Sequence, residues 1–478
     1  MNASEGNKCE EEGGGGEEEG RWNWFRPANV SETFFEACQR HGLIMTAYWL
    51  VVSSASPLEE EHVRLALCHL YRKVPTLRLC LRQRDGVLWA CERAVGDNID
   101  FEVVEGRDPR DVMEEVMNQS YASHDGPLWR ARLVRGAAGE DCPSEELRAS
   151  FPHTSHLVLG NHHGIADGTS NVRTYNLLLR ILNDVIAGRP IDDQEQLGDF
   201  VNEAELMKMV DDKKRALEKD PENLQRLLEE KAAQMQRVPL FLQCHPPAGQ
   251  RMHRRTRMLH GILDEETTRR LIERCKREGV SVESAVTTAI NGTTVDMAVR
   301  TGREAESFRL SESHAVNLRR YLSADAAAAL GVLITVFDNV TQTPITWRAA
   351  FWEHARSLHA SLHARLRQNG PLHDECLRQM VMPNDALETL LTDLPSPTHD
   401  CTTSNMGALD AKFPERGAHV QATRLARGSC SFYDFAVHFY HTFRGRFTYT
   451  LCFDAGLVAE DVASAFRQAL FDNLKAVI

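Results

Sequence analysis

An apolar segment that runs through a histidine-rich turn into an amphipathic helix constrains the fold more than any other feature of this sequence. Residues 156–160 are apolar and strand-like, and residues 161–168 read Asn-His-His-Gly-Ile-Ala-Asp-Gly. Apolar side chains then recur at helical spacing from Val172 to Ile186, and Gly188 and Pro190 follow them. A strand that passes into a helix through a short turn is a unit of α/β layers, so we expect this architecture here.

Helix and strand patterns alternate along most of the remaining chain, which predicts an α/β protein as a whole. At 478 residues the chain is too long for one ordinary core, so we expect two domains. The boundaries predicted from composition are a disordered acidic tail at 1–21, an N-terminal domain at 22–190, a charged helical segment and linker at 191–257, and a C-terminal domain at 258–478. The main predicted strands are 43–52, 77–81, 87–91, 101–104, 128–134, 331–339, 432–438 and 447–453, and the main predicted helices are 31–40, 57–74, 108–121, 169–187, 264–278, 281–299, 345–368 and 458–475.

The charge and the cysteine pattern of the sequence indicate which partners and which cellular compartment to expect. The formal charge is −13, which argues against nucleic acid as the main partner. Seven Glu and one Lys lie within residues 1–20, and this tail lacks the basic and apolar regions of a secretory signal. No apolar run approaches the length of a membrane helix. The twelve cysteines form no CxxC pair, so we expect free thiols and a cytoplasmic protein.

The residues of the turn can carry acid–base chemistry. Adjacent residues leaving a strand point to opposite sides, so only one of His162 and His163 faces a given cavity. A neutral imidazole is the usual general base near neutral pH. Asp167 is suited to holding an arginine or a backbone group, and Gly168 to adopting a backbone angle that other residues resist. The sequence contains no Gly-x-Ser-x-Gly nucleophile motif.

Two other interpretations of this cluster stay open on the residues alone. A metal site would use His153, His156, His162 and His163, but adjacent histidines are poorly placed for one tetrahedral ion, and no HExxH motif accompanies them. The second interpretation is a purely structural histidine pair. Exposed turns commonly carry function, which favours the chemical interpretation over both.

The eight residues 161–168 resemble the HHxxxDG signature of the chloramphenicol-acetyltransferase-like acyltransferases. This superfamily includes condensation domains of nonribosomal peptide synthetases, plant BAHD acyltransferases, and alcohol acetyltransferases with their mycobacterial lipid-esterifying relatives. Residues 70–78 resemble the L-x-x-R-H-P-x-L-R stretch, with Val74 in place of its usual histidine. Residues 315–322 resemble the V-D-L-R-x-x-L stretch. Residues 403–407 resemble the S-N-L-G segment of the stand-alone alcohol acetyltransferase branch, to which the chain is most similar.

Two features of these acyltransferases are missing from the sequence, and their absence disfavours some branches of the superfamily. No Asp-Phe-Gly-Trp-Gly motif is present near the C-terminus, where 433–436 read Tyr-Asp-Phe-Ala, and this disfavours a plant BAHD enzyme. No carrier domain with a phosphopantetheine-serine motif is evident, unlike in most proteins that contain condensation domains. We therefore expect a stand-alone protein and a monomer.

The resemblance implies a pseudodimer of two α/β domains, each with a mixed sheet flanked by helices, and a channel between them. His163 would point into the channel and take the proton of an acceptor hydroxyl or amine as that group attacks an acyl thioester. No acyl-enzyme would form, and positioning would supply much of the rate. Asp167 would point away from the channel and pair with an arginine, for which Arg319 is the candidate.

Further site residues are assigned in the same way. Ser404 and Asn405 are candidates for lining the channel or donating to the developing oxyanion, although Ser and Asn also favour plain turns. The basic run at 251–257 either binds the phosphates of coenzyme A or serves as a flexible basic linker, and composition favours the linker. No bound cofactor or metal is expected, and acyl-CoA would be a co-substrate.

Three functions remain at this point. The first is acyl transfer from acyl-CoA to a small-molecule or lipid alcohol or amine. The second is the same chemistry with the acyl group delivered by an acyl carrier protein. The third is a catalytically inactive relative that binds an acylated partner or a lipid.

Overall fold

The computed structural model of the protein describes residues 21–136, 145–247, 255–392, 397–430 and 435–478. The strands are β1 (Trp22–Pro27), β2 (Thr46–Ser54), β3 (Leu79–Arg84), β4 (Val87–Arg93), β5 (Phe101–Glu105), β6 (Trp129–Arg135), β7 (His153–Asn161), β8 (Thr256–Leu263), β9 (Ser307–Asn317), β10 (Ile334–Pro344), β11 (Cys401–Ala408), β12 (Val420–Ser429), β13 (Ala436–Phe443) and β14 (Arg446–Asp454).

The helices alternate with these strands. They are α1 (Val30–Arg40), α2 (Glu60–Lys73), α3 (Pro109–Asn118), α4 (Glu145–Ser150), α5 (Gly168–Ile186), α6 (Ala204–Glu218), α7 (Pro221–Met235), α8 (Leu240–Cys244), α9 (Glu265–Glu278), α10 (Val282–Arg300), α11 (Ala324–Ala328), α12 (Phe351–Arg367), α13 (Gly370–Val381), α14 (Leu387–Thr392) and α15 (Glu460–Ala476). Short 3₁₀ turns lie at Pro75–Arg78, Leu318–Tyr321 and Asn384–Ala386.

The first large sheet has the strand order β12-β2-β7-β6-β5. Strand β7 is antiparallel to both of its neighbours, and its last residue, Asn161, lies opposite Thr46 of β2 and Trp129 of β6. Strand β7 ends at the level where β2 and β6 begin. The chain therefore leaves the sheet at Asn161, and the two histidines that follow lie at the end of a central strand that is paired on both sides.

The second large sheet has the order β10-β9-β11-β13-β14-β8 and is mixed. Strand β11 is parallel to both β9 and β13, whereas the other pairs are antiparallel. Helices α10 and α15 pack on this sheet and bury apolar side chains such as Ile290 and Leu470 in its core. A small third sheet, β1-β4-β3, completes the described architecture, which is the predicted α/β fold of two lobes with mixed sheets flanked by helices.

One strand crosses between the lobes. Strand β12 belongs to the second half of the chain, yet it pairs with β2 of the first sheet from Ser429↔Thr46 to Val420↔Ser54. Its residues Leu425 and Ala426 are buried in the core of the first lobe. The division predicted at residue 258 is therefore not followed by the sheets, because the C-terminal half completes the N-terminal one.

Several predicted elements have different bounds in the structure. Pro75 starts a 3₁₀ turn, so the strand predicted at 77–81 begins only at Leu79. The strand predicted at 331–339 is β10, which runs from Ile334 to Pro344, and the helix predicted at 345–368 begins at Phe351. The segment predicted as a linker contains α8, whose Leu240, Phe241 and Leu242 are buried. Apolar side chains thus dock this segment onto the second lobe.

The described part of the chain has neither a disulfide nor a helix that could cross a membrane. The cysteines within the described ranges form no disulfide. Apolar surroundings predict that Cys68, Cys80, Cys91 and Cys452 are buried; the last three are, whereas Cys68 is only partly buried. No helix in the described part of the chain combines the length and the apolar character needed to cross a membrane. The acidic tail lies outside the described residues.

Candidate active site

The turn of the motif is held at both ends by hydrogen bonds from backbone N–H groups. The backbone N–H of His162 donates to the carbonyl oxygen of Leu128 over 2.9 Å, which ties the start of the turn to the strand next to β7. At the other end, Asp167 caps helix α5 by accepting from the N–H of Ser170 over 2.9 Å. The motif is thus a strand–turn–helix unit, as its sequence predicts.

The side chain of His162 is completely buried and both of its nitrogens are engaged. Its Nδ1 accepts a hydrogen bond from the N–H of Gly164 over 2.9 Å, so the ring proton resides on Nε2. A Cβ at Gly164 would lie 2.9 Å from the imidazole, and only glycine leaves room for the ring. Because no nitrogen lone pair of His162 remains free, this histidine cannot ligate a metal ion.

Glu36 of helix α1 receives the Nε2 proton of His162. The Nε2–Oε2 distance is 3.1 Å, and the same oxygen accepts from the hydroxyl of Ser123 over 2.6 Å. Burial acts to raise the pKa of Glu36, but the hydrogen bonds from His162 and Ser123 outweigh it and hold the pKa below its ordinary value. An ionised Glu36 therefore fixes the tautomer of His162.

His163 is half-buried and has a different environment. Its ring stacks on Phe35 with 4.4 Å between the centroids and 12° between the planes. Burial lowers its pKa to about 4, so the ring is neutral at physiological pH. Its Nδ1 has no hydrogen-bond partner among the described residues. Two consecutive residues of α1, Phe35 and Glu36, thus hold the two histidines, and only His163 is partly exposed.

Sequence analysis missed both of these α1 residues. Phe35 and Glu36 precede the histidines by more than 120 residues, and no motif connects them. The one available signal was a glutamate between Phe35 and Ala37 on the buried side of an amphipathic helix. A charged side chain in such a position requires a partner, and a histidine is a suitable one.

Asp167 is fully buried and bonds away from the histidines. Its Oδ2 accepts from the guanidinium of Arg319 and, over 3.0 Å, from the N–H of Leu333. Arg319, the predicted partner, also donates to the Ser170 hydroxyl over 3.1 Å. The carboxylate therefore fixes the turn against the second half of the chain and makes no hydrogen bond to His163.

Gly168 has a different role from the predicted one. Its φ angle is not in the left-handed region, so no unusual backbone angle requires glycine here. A Cβ at this position would lie 3.2 Å from Sδ and Cε of Met406 on β11. The small residue instead allows β11 to approach the start of helix α5.

Ser404 and Asn405 lie on β11, next to Met406. The hydroxyl of Ser404 accepts from Nη1 of Arg427 over 3.0 Å, and the side-chain oxygen of Asn405 accepts from the N–H of Gly407 over 2.7 Å. Asn405 also lines a cavity of the second lobe. Donation by either residue to an oxyanion stays a prediction.

Arg427 was not predicted as a site residue. It is buried on β12, also donates to the carbonyl oxygen of Ser404, and lies with its guanidinium 4.9 Å from the centre of the Phe439 ring. Burial lowers its pKa to about 10. The strand that crosses between the lobes thus brings a buried positive charge to β11.

The basic run at 251–257 and the Tyr-Asp-Phe-Ala segment at 433–436 are only partly described by the structure. In the basic run, residues 251–254 lie outside the described residues, and Arg257 is paired with Glu114 at 2.8 Å and with Glu460 at 3.4 Å. Its charge is therefore already balanced and does not favour a phosphate. Residues 433 and 434 of the Tyr-Asp-Phe-Ala segment also lie outside the described ranges.

The metal interpretation finds no support in the geometry. His156 accepts from the indole N–H of Trp49 over 3.1 Å, and His162 is fully engaged as described. Within the described ranges, no group of three or more His, Cys, Asp or Glu side chains is placed to hold a metal ion.

Comparison with known proteins agrees with this architecture. Residues 253–427 match the family described as phthiocerol/phthiodiolone dimycocerosyl transferase C-terminus. No curated protein matches the sequence. The trichothecene 15-O-acetyltransferase TRI3 from Fusarium sporotrichioides is similar in structure, with a TM-score of 0.70, 13% identity and 96% of both chains covered.

Two further solved structures share the fold. Polyketide synthase associated protein 5 from Mycobacterium tuberculosis has a TM-score of 0.64 at 15% identity, covering 95% of this chain and 98% of that one. The condensation domain of the monacolin K polyketide synthase MokA has a TM-score of 0.60 at 14% identity, covering 94% and 96%. The chain therefore shares the two-lobed fold of these acyltransferases and condensation domains, and within it residues 253–427 match the transferase family named above.

Proposed function

We propose that this protein is an acyltransferase that moves an acyl group from acyl-CoA to an alcohol or amine, with His163 as the general base. The observation that carries the proposal is the partly exposed imidazole of His163, stacked on Phe35 in a turn that both lobes fix, and burial lowers its pKa to about 4. A base must be unprotonated before it can accept a proton, and burial keeps this ring in that form.

The reaction follows from the groups in the turn. His163 takes the proton of the acceptor as the acceptor's oxygen or nitrogen attacks the thioester carbonyl carbon. The carbon–sulfur bond then breaks, and the imidazolium returns the proton to the departing thiolate. Residues 162–168 include no Ser, Thr or Cys, which supports direct transfer without an acyl-enzyme.

Apolar side chains beside the base suit an acyl group. Phe35 stacks on His163 and belongs to a buried cluster with Phe34, Val332 and Met382, which come from both halves of the chain. An apolar surface next to the imidazole excludes water and so protects the thioester from hydrolysis. Acyl-CoA is proposed as a co-substrate that is released after each turnover.

Thiol release by the purified protein tests the proposal. Acetyl-CoA and longer acyl-CoAs are supplied with a set of alcohols and amines, and the acylated products are identified by mass spectrometry. Release that depends on an acceptor, with matching product, supports the proposal. Transfer only from an acylated carrier protein would replace acyl-CoA as the donor, and no transfer from either donor would indicate an inactive binding protein.

A further inference from the structure

The second lobe contains a cavity of about 440 Å³. Its polar wall includes Ser281, Glu283, His314 and Asn405, and its apolar wall includes Phe337 and Leu362. Asn317, at its rim, donates to the hydroxyl of Thr169 at the start of helix α5 over 3.0 Å. The cavity thus adjoins the element that follows the catalytic turn.

A buried cluster of charges forms the polar wall of this cavity. The Nδ1 proton of His314 is shared between Glu283 at 3.0 Å and the hydroxyl of Thr403 at 2.9 Å, and Nε2 donates to Glu312 over 3.4 Å. Burial acts to lower the pKa of His314, but the two carboxylates outweigh it and raise the pKa to about 9. Since both ring nitrogens donate, His314 is an imidazolium between two carboxylates.

The two carboxylates differ in how many hydrogen bonds they accept. Glu312 accepts four, from His314, Asn291, Asn339 and Thr341, which fills the lone-pair positions of a carboxylate. Glu283 accepts three, from His314, from Thr403 over 2.8 Å and from Tyr440 over 2.7 Å. One acceptor position on Oε2 of Glu283 is therefore open, and its side chain is 22% exposed.

The charge of the cluster indicates which kind of hydrogen-bond donor fits the open position on Oε2 of Glu283. Glu283, Glu312 and protonated His314 together carry one negative charge. Arg427 adds one positive charge close by, because its guanidinium donates to the hydroxyl of Ser404, the neighbour of Thr403. Arg320 adds a further positive charge to the cavity lining, so no net negative charge favours an ammonium there, whereas a neutral hydroxyl only supplies the missing hydrogen bond.

We propose that this cavity binds the acceptor of the reaction, and that the acceptor is an alcohol with a second hydroxyl, which donates to Glu283. The inference rests on the proposed acyl transfer, which gives the bound molecule its role as acceptor. The bound hydroxyl is not the reacting one, because Glu283 hydrogen-bonds to no residue of the turn. Phe337 and Leu362 contact the apolar body of the same molecule.

The inference is tested by binding in the absence of any acyl donor, with saturation-transfer NMR on the full chain. The probes are 1-phenyl-1,2-ethanediol, 2-phenylethanol, which lacks one hydroxyl, and 2-amino-2-phenylethanol, in which an ammonium replaces one. We expect the diol to bind about tenfold more tightly than the other two, the value of one hydrogen bond to a charged acceptor. Equal affinities, or tighter binding of the amino alcohol, would overturn the inference.

Two variants connect the preference to this cavity. Glu283→Ala should abolish the preference for the diol. Since that variant removes a buried carboxylate and is at risk of unfolding, Leu366→Trp provides a second test: Leu366 is a partly exposed cavity residue, and Trp there would fill the space. Arg367→Trp, on the exposed neighbour, is the control. A diol preference that survives Leu366→Trp would place the binding elsewhere and overturn the inference.

The binding test separates this inference from the proposed function. If the protein transfers acyl groups but does not prefer the diol, the inference fails and the acyltransferase proposal stands. If the diol binds with the predicted dependence on Glu283 and no acyl transfer occurs with any donor, the site is real but the molecule is not an acceptor, and the proposed function fails.

Discussion

The carboxylate of Asp167 and the guanidinium of Arg319 form an ion pair that is buried between the turn at 161–168 and the second half of the chain. The two residues are 152 positions apart in the sequence. The N–H of Leu333 joins the same carboxylate, so two separate segments of the second half fix the last residue of the turn. The shape of the turn is consequently a product of both lobes.

Asp167→Asn should therefore damage stability more than proton transfer. The substitution leaves the Arg319 guanidinium buried without its counter-charge, which costs about 3–5 kcal/mol in the free energy of unfolding. Denaturant unfolding of the variant measures this loss. Arg320→Gln, at the exposed neighbour of Arg319, is the control and should unfold like the wild type. An unchanged midpoint with abolished turnover would instead make Asp167 a direct participant in the reaction.

Glu36 should act as a positioning residue for the histidine pair. Glu36→Leu leaves the Nε2 proton of His162 without an acceptor, and we expect kcat to fall about 10²-fold with little change in KM. Glu36→Gln should restore most of the activity, because its amide oxygen can accept the same proton. His162→Ala should act through packing and lower the melting temperature. Equal activity of the Leu variant and the wild type would show that the tautomer of His162 has no influence on His163.

The activity should persist to a more acid pH than an ordinary histidine allows. A general base works in its neutral form, so kcat/KM falls as the pH drops through the pKa of His163, which burial lowers to about 4. The acid limb of the profile should accordingly lie well below pH 6.5. Measuring kcat/KM between pH 4 and 8, with circular dichroism to detect acid unfolding, checks this. A midpoint near 6.5 would contradict the buried environment of the imidazole.

Deletion of residues 1–20 should leave both stability and acyl transfer unchanged, because this segment has almost no apolar side chains to bury. A chain that begins at Arg26 should be less stable by about 3–5 kcal/mol, since it loses Trp22, which is 4% exposed and lies against the guanidinium of Arg82 at 4.4 Å. Thermal unfolding of both truncated chains is the measurement. Equal midpoints would mean that Trp22 contributes nothing, and a loss from the shorter deletion would mean that the tail docks on the protein.

The sequence predicted the local parts of this site because their signals are local. The strand, the turn at 161–168 and the helix after it follow from apolar spacing. The same pattern indicates Thr169 or Ser170 as the N-cap of α5, whereas Asp167 is the N-cap in the structure. Arg319 was found as the partner of Asp167 only through the resemblance. Composition and periodicity do not indicate which of many arginines reaches a carboxylate 152 residues away.

Other contacts could not be predicted, because they depend on how the lobes meet. Strand β12 pairs with β2 across more than 360 residues of sequence, and that crossing brings Arg427 to Ser404. Gly168 illustrates a different limit: its motif position suggested a special backbone angle, whereas the structure shows close approach of Met406. The contact of Arg427 with Ser404 and the need for glycine at position 168 both depend on three-dimensional contacts and not on local backbone preference.

The rate of acceptor-dependent thiol release by His163→Ala measures whether His163 is the base of an acyl transfer. Loss of a general base lowers a rate roughly 10²–10⁴-fold. We predict a loss in this range with a melting temperature close to that of the wild type, because the His163 ring is partly exposed and its Nδ1 makes no hydrogen bond. A variant that folds normally and keeps the wild-type rate would mean that His163 is not the base.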